Sequence, residues 1–257
     1  MSKQLTIELC KQALLSGSSV LMLRPIFAIS LGGVAEALVF QQLYYKAGGF
    51  ADEYENHTAR FSYTRLQKQL PFFTRRWIIE IINRLEKKGA IKVIRSSRVN
   101  VYTLDGTYNF VQLTPQNSAA MLVFPELACK VGLMEAVALQ QIHIRNYDTD
   151  GSNWVIRSLN QWHSDVFMFS SIATVRRLFS KLAKQNLIYV KPYHGEEGTV
   201  NSYRVNYVEL ASALGIYLPE VIVPKPNGWS DGYWTNPLNP FEVLKVSSLH
   251  QTVSNVH

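Results

Sequence analysis

The sequence predicts a mainly α-helical α+β protein with small β-hairpins, in which one set of elements occurs twice. The first observation is an internal repeat: residues 36–45 match residues 135–144 at an offset of 99, with the Glu, one Ala and both Gln identical. The second is a pair of later segments with the same helical spacing of apolar residues, and the third is a strand–loop–strand pattern after each of them. Several separated matches in one order indicate a duplicated unit.

The first element of each unit is a long helix that contains a Gln-Gln pair, Gln41-Gln42 in one copy and Gln140-Gln141 in the other. The pair lies between apolar residues, so we interpret these helices as scaffolding. An alternative is that one Gln side chain bonds the turn before the third helix, since buried polar groups need a partner.

The second element is a short helix that begins after a serine. Ser62 precedes the helix that contains Leu66, and Ser158 precedes the helix that contains Trp162. Serine is a favoured N-cap because its hydroxyl accepts from a free backbone N–H of the first turn.

The third element is a helix with one buried face. Its apolar residues recur at the i, i+3, i+4, i+7 spacing of such a face. Thr74 and Ser171 stand where an N-cap is expected, and Gly89 and Asn186 stand where a helix commonly ends in a left-handed residue. The two stripes are Ile78, Ile81, Ile82, Leu85 and Val175, Leu178, Phe179, Leu182.

Each third helix leads into a predicted hairpin. Residues 90–93 and 100–104 alternate as strands in the first copy, and residues 187–190 and 201–205 do so in the second. The intervening loops are residues 95–100 and 191–199. Three helices followed by a hairpin is the order of a winged helix-turn-helix, with the hairpin as the wing. The sequence therefore predicts two tandem winged helix-turn-helix domains.

The positive charge is concentrated in two segments. The chain of 257 residues has a net charge of +7, yet residues 60–105 hold eleven Lys and Arg against three Asp and Glu, a net of +8. Residues 154–208 hold seven against three, a net of +4, and the rest of the chain sums to −5. Both basic segments coincide with a predicted third helix and wing. Nucleic acid is one explanation of such segments, and a solvated, Lys-rich helix face is the alternative.

The first copy resembles the winged-helix DNA-binding domains of bacterial plasmid and phage replication proteins, the initiators and replisome organisers. The resemblance is carried by Gln41-Gln42, Ser62-Tyr63, residues 71–74 (Pro-Phe-Phe-Thr) and the turn at residues 85–91. The second copy departs from it, because residues 167–170 lack the Pro and contain one extra residue, and Asn186 replaces the Gly. Many transcription regulators share this fold, so it indicates a DNA-binding function more specifically than replication.

In a helix-turn-helix the third helix enters the major groove, where Arg bonds guanine and Asn bonds adenine. The basic loop at residues 95–100 would lie on phosphates or in a minor groove. The alternative for an individual arginine is an ion pair on its own helix, such as Arg76 with Glu80. Because the second loop carries two acids, we expect the first copy to contribute more affinity. The candidate DNA-binding residues are Thr74, Arg75, Arg76, Asn83, Arg84, Lys87, Arg95, Arg98, Ser171, Thr174, Arg176, Arg177, Lys181 and Lys184.

Enzymatic motifs are absent. The sequence contains no phosphate-binding loop of the GxxxxGK[ST] type, no GxGxxG and no HExxH. An acidic cluster, Asp52, Glu53, Glu55 and His57, reads as a solvated turn rather than a metal site, and two cysteines cannot form a disulfide scaffold. We expect no catalytic residues, no metal and no cofactor. Without a signal peptide or an apolar run of about 20 residues, we expect a soluble, cytoplasmic, nucleoid-associated protein with no membrane partner.

The predicted organisation is an N-terminal segment (1–21), a first winged-helix domain (22–105), a linker (106–120), a second winged-helix domain (121–208) and a tail rich in Pro and aromatic residues (209–257). We expect sequence-specific binding of double-stranded DNA by a replication initiator or replisome organiser of a plasmid, phage or related mobile element. A transcriptional regulator of such an element is the alternative, and an adaptor that uses winged helices for protein contacts is a third class. Host replication proteins and a second copy of the chain are the further expected partners.

Overall fold

The computed structural model describes residues 20–47, 58–105, 119–146, 154–195 and 198–215. These residues form a mixed α+β structure of helices and small antiparallel sheets. Residues 21–104, here called the first unit, run strand, two helices, strand, two helices, two strands. The elements are β1 (Leu21–Leu23), α1 (Pro25–Leu31), α2 (Val34–Lys46), β2 (Thr58–Phe61), α3 (Tyr63–Gln69), α4 (Arg75–Lys87), β3 (Ile91–Ile94) and β4 (Asn100–Leu104).

The same order returns in residues 121–205, here called the second unit, and one more helix follows it. The repetition of elements that the sequence predicts is therefore present in the structure. The elements are β5 (Met121–Val123), α5 (Pro125–Val131), α6 (Leu133–Asn146), β6 (Val155–Ile156), α7 (Leu159–Asp165), α8 (Ile172–Lys184), β7 (Ile188–Gly195), β8 (Gly198–Val205) and α9 (Tyr207–Leu214).

Each unit contains a three-stranded antiparallel sheet with its last strand in the middle, in the orders β2-β4-β3 and β6-β8-β7. Tyr102 of β4 pairs with Ala59 on one side and Val93 on the other. Tyr203 of β8 pairs in the same way with Val155 and Val190. Both tyrosines are buried in the core of their unit. The central strand thus anchors the hairpin to the helices.

The predicted apolar stripes of α4 and α8 lie in the core, since all eight residues are less than a tenth exposed. Leu66 of α3 and Trp162 of α7 occupy equivalent places, and both are fully buried. The Trp162 ring contacts Phe179 of α8 at a centroid distance of 5.1 Å and Tyr203 of β8 at 5.9 Å. The second unit thus fills its centre with aromatic side chains.

The predicted helix ends are confirmed. The hydroxyls of Thr74 and Ser171 each accept from the backbone N–H three residues later, at 3.2 Å. Gly89 follows α4 with φ of 77°, and Asn186 follows α8 with φ of 55°. Within the described ranges Asn186 is the only residue other than glycine with positive φ. Asparagine tolerates this left-handed conformation better than most residues.

The caps of the shorter helices are confirmed as well. Ser62 and Ser158 each accept from the backbone N–H three residues on, at 3.2 Å. Gln161 adds a reciprocal bond, because its side chain accepts from the backbone N–H of Ser158 at 2.8 Å. This arrangement is a capping box, which satisfies two helix-end donors at once.

The two units are joined by a two-stranded antiparallel ribbon of β1 and β5. Met22 pairs with Leu122, and Leu21 and Leu23 pair with Val123 and Met121. At the offset of 100 that aligns these strands, Leu21 is equivalent to Met121 and Leu23 to Val123. Equivalent residues therefore exchange partners about a local two-fold axis between Met22 and Leu122, as they do in an isologous dimer contact.

Several sequence expectations need correction. The loop predicted at residues 191–199 is mostly strand, because β7 continues to Gly195 and β8 begins at Gly198. Strands β1, β2, β5 and β6 and helices α1 and α5 were not predicted. The Gln41 side chain accepts from the backbone N–H of Arg24 at 3.1 Å, ahead of α1, so it does not bond the turn before α4.

Other expectations concern residues outside the described ranges. These are the N-terminal segment up to residue 19, the acidic cluster at residues 52–57, most of the linker and the tail after residue 215. The first residues of the predicted tail lie within the described part, and they belong to α9.

No single helix in the described part of the chain has the length and apolar character needed to cross a membrane. Helices α1 and α2 reach the required length only when they are taken together, and the chain bends by 114° between them.

Candidate nucleic-acid interface

The candidate interface is built on the exposed sides of α4 and α8 and on the hairpins that follow them. Opposite the buried stripe of α4, positions i, i+4, i+7 and i+11 hold Arg76, Glu80, Asn83 and Lys87. The equivalent positions of α8, offset by 97, hold Ala173, Arg177, Ser180 and Lys184. The outward rows thus differ at three of four positions, although the buried stripes match.

Arg76 and Glu80 of the α4 row are paired with each other. Arg76 Nε donates to Glu80 Oε1 at 3.0 Å across one helical turn. The Arg76 side chain is nevertheless 91% exposed. Such an i, i+4 pair is weak and is screened by salt, so it does not hold the guanidinium away from another anion.

The first hairpin is fastened to α4 by Arg95. Its guanidinium donates to Asn83 Oδ1 at 2.9 Å and to Glu86 Oε2 at 2.5 Å. The hydrogen bond from Arg95 lowers the pKa of the Glu86 carboxyl below its usual 4.5, and the same bond raises the pKa of Arg95. Asn83 was predicted to contact a base and Arg95 a phosphate. In the structure these two side chains bond each other instead.

Arg84 faces the body of the unit instead of the outward row. Its Nε donates to Glu36 Oε1 of α2 at 2.7 Å, and its guanidinium lies 4.6 Å from the centre of the Trp77 ring. Lys181, the equivalent residue of α8, donates from Nζ to Glu135 Oε1 of α6. In each unit an ion pair therefore joins the C-terminal half of the third helix to the first turn of the long helix.

The glutamate of each ion pair lies close to a glycine three residues earlier. Glu36 and Glu135 stand in the first turns of α2 and α6, where the helix dipole stabilises a negative charge. A Cβ at Gly33 would lie 2.6 Å from Glu36 Oε2, and one at Gly132 would lie 2.4 Å from Glu135 Oε2. Only glycine leaves room for each carboxylate to fold back over the helix start.

Helix α8 presents more unpaired charge than α4. Arg176, Arg177 and Lys184 are exposed, and no ion pair is found for them among the described residues. The hydroxyls of Ser171 and Thr174 bond each other at 3.0 Å at the start of the helix. The α8 face therefore offers three available cations beyond the capped start of the helix.

In the first unit, the available predicted cations are Arg75, Lys87 and Arg98. All three are exposed. Arg75 lies over the Tyr63 ring at 5.9 Å, and Arg98 stands in the turn between β3 and β4. Thr74 caps α4 and is exposed beside Arg75. These three predicted cations therefore lie at the start of α4, at its end and at the hairpin tip.

The second hairpin carries a cluster of aromatic and cationic side chains that the sequence did not single out. The Trp154 ring lies 4.1 Å from Lys191 Nζ and 4.8 Å from the Arg204 guanidinium, which also lies 5.2 Å from the Tyr189 ring. Burial lowers the pKa of Arg204. The register of β7 and β8 was the missing information, since it places residues 189 and 204 opposite each other.

Within the described residues, no group of three or more His, Cys, Asp or Glu side chains is placed to hold a metal ion. Cys129 is a free, exposed thiol. Comparisons of the chain with protein-family models, curated proteins and solved structures found no match.

Proposed function

We propose that the chain is a sequence-specific double-stranded DNA-binding protein with two tandem winged helix-turn-helix domains, residues 22–105 and 121–208. The observation that carries the proposal is the exposed face of α8, where Arg176, Arg177 and Lys184 meet no acidic partner among the described residues. A capped short helix precedes α8 and a hairpin follows it, and the same arrangement surrounds α4. A third helix so presented suits the major groove, with phosphates along its cationic flank.

The ribbon of β1 and β5 supports a particular kind of binding site. Because equivalent residues pair about a local two-fold axis, the two third helices would read half-sites of opposite direction. Their outward rows differ, with Glu80 in one where Arg177 stands in the other. The proposed site therefore consists of two unlike half-sites, which a single chain covers.

The biological role we propose is a replication initiator or replisome organiser of a plasmid, phage or related mobile element, acting at the nucleoid. It rests on the resemblance carried by Gln41-Gln42 and residues 71–74. Host replication proteins are the proposed partners of the N-terminal segment (1–21) and the tail (209–257), and residues 106–120 would link the domains. Mapping of bound sites in cells separates this role from the alternative: repeats within an origin indicate initiation, and promoter sites indicate a transcriptional regulator.

The binding proposal is tested by the salt dependence of affinity. The full chain is titrated with duplex DNA enriched from a random library, and the binding constant is measured by fluorescence anisotropy between 50 and 200 mM salt, a range over which phosphate contacts weaken strongly. Arg177→Ala with Lys184→Ala should lower the slope of log K against log salt by about two. Lys130→Ala is the control for the loss of a single exposed charge on α5, away from the proposed face, and should leave the slope unchanged. A salt-independent constant would contradict DNA binding and favour a protein adaptor.

A further inference from the structure

The start of α8 is apolar at the positions where the start of α4 is cationic. Helix α4 begins Arg75-Arg76-Trp77, and α8 begins Ile172-Ala173-Thr174 at the offset of 97. Ile172 is 38% exposed, and Ala173 is exposed as well. The buried stripe of α8 begins at Val175, three residues after Ile172, and Ala173 lies on the outward row.

The hydroxyl of Thr174 is already bonded within the helix start. It bonds the hydroxyl of Ser171 at 3.0 Å, and the Ser171 hydroxyl also caps the helix. The polar part of the exposed Thr174 side chain is therefore engaged within the helix cap. Its methyl group is the remaining apolar part of the side chain, so the first turn of α8 carries apolar groups at three successive residues, Ile172, Ala173 and Thr174.

This apolar end lies next to a cationic stretch. Arg176 and Arg177 follow within one turn, and Lys184 extends the charge along the helix. A protein partner would need to satisfy or exclude these exposed charges, whereas DNA provides phosphates for them on both sides of the major groove. In that groove the C5-methyl of thymine is the apolar group that a base pair presents.

We propose that Ile172, Ala173 and the Thr174 methyl contact thymine methyl groups, so that the second unit reads a thymine-containing half-site. The first unit, whose helix α4 begins Arg75-Arg76, would read guanines through O6 and N7. The inference rests on the proposed DNA-binding function and adds the base class that each half of the site must contain. The difference at two helix starts thereby fixes the direction in which the chain binds its site.

The test replaces thymine by deoxyuridine, which pairs identically but lacks the C5-methyl group. A duplex enriched by the full chain from a random library is resynthesised with uracil at one thymine at a time. The wild-type chain should lose about fourfold in affinity at one or two thymines of one half-site, the value of one lost methyl contact. Uracil in the other half-site should leave the affinity unchanged.

Variants tie the effect to this helix end. Ile172→Ser should bind the thymine and uracil duplexes equally, whereas Ile172→Val keeps an apolar side chain and should keep the discrimination. Far-UV circular dichroism of both variants establishes that α8 is intact. As a matched change in the first unit, Arg75→Ser should keep uracil sensitivity and reduce the preference for guanine over 7-deazaguanine in the opposite half-site.

The outcomes separate the two proposals. If the wild-type chain enriches a duplex and binds its uracil forms as tightly as the thymine form, the thymine inference is overturned and DNA binding stands. Uracil sensitivity that persists in Ile172→Ser overturns the assignment to this helix end. If no duplex is enriched or bound in a salt-dependent manner, both proposals are overturned.

Discussion

Arg84 Nε lies 2.7 Å from Glu36 Oε1, which ties the third helix of the first unit to its long helix. The Glu36 side chain is only 10% exposed, whereas Arg84 is 37% exposed. The contact returns in the second unit as Lys181 with Glu135. Because the two cations differ in type while the glutamates are identical, the requirement is a positive charge over each carboxylate. The pair fixes α4 on α2 and turns Arg84 away from the outward row.

Removing this carboxylate should destabilise the chain. Glu36→Gln leaves Arg84 without its counter-charge in a partly covered site, so we expect the free energy of unfolding to fall by about 1–2 kcal/mol. The exposed pair Arg76–Glu80 is the matched control, because an exposed i, i+4 pair contributes only about 0.3–0.5 kcal/mol. Urea denaturation measures both variants. Equal midpoints for Glu36→Gln and Glu80→Gln would contradict a structural role for the Glu36 pair.

The left-handed residue after α8 gives a second stability prediction. Asn186 has φ of 55°, a conformation that costs a residue with a Cβ roughly 1–2 kcal/mol and that asparagine tolerates better. Asn186→Ala should therefore lower the free energy of unfolding by about 1 kcal/mol, and Asn186→Gly should leave it nearly unchanged. Gln185→Ala, one residue earlier at φ of −84°, is the control. Thermal melts that rank Ala and Gly equally at position 186 would count against this explanation.

Local chemistry explains which parts of the fold could be predicted. Thr74, Ser171, Gly89 and Asn186 act within one or two turns of their own helix, so the sequence pattern alone was sufficient. Strand β6 has only two residues, and Val155 becomes a strand residue through its pairing with Tyr203, 48 residues away. No periodicity within such a segment can reveal that pairing.

The candidate site also has a part that local sequence predicts and a part that depends on long-range contacts. The exposure of Arg177 and Lys184 follows from the helical spacing of the buried stripe. The contacts of Arg95 with Asn83 and Glu86 do not, because they require the hairpin to fold back on α4. Residues 191–199 were predicted as the loop of the second hairpin. The structure pairs Pro192 with Asn201 at the edge of the sheet, where the missing N–H of proline is tolerated.

The Arg95–Glu86 contact should appear in the acid titration of the free chain. The Arg95 hydrogen bond lowers the pKa of Glu86 below 4.5, so the charged carboxylate is favoured in the folded state. The stability that this contact adds is present above pH 4.5 and is lost as the pH falls through the lowered pKa. Carboxyl carbon shifts measured by NMR should place the Glu86 midpoint below 4.5. In Arg95→Gln the midpoint should rise, and an identical midpoint in both proteins would contradict the contact.

Glu80 and Arg177 occupy equivalent positions of α4 and α8, so the acid on α4 should weaken the proposed DNA binding. Glu80 pairs with Arg76 at 3.0 Å and places a negative charge on a face proposed to meet phosphates. Glu80→Gln should release Arg76 and remove that charge, so we expect a several-fold higher affinity at 50 mM salt and a salt slope steeper by about one. Glu126→Gln on α5 removes the same charge elsewhere and is the matched control in fluorescence anisotropy with duplex DNA. If the two variants gain equally, the effect is one of net charge alone and α4 does not face the phosphates.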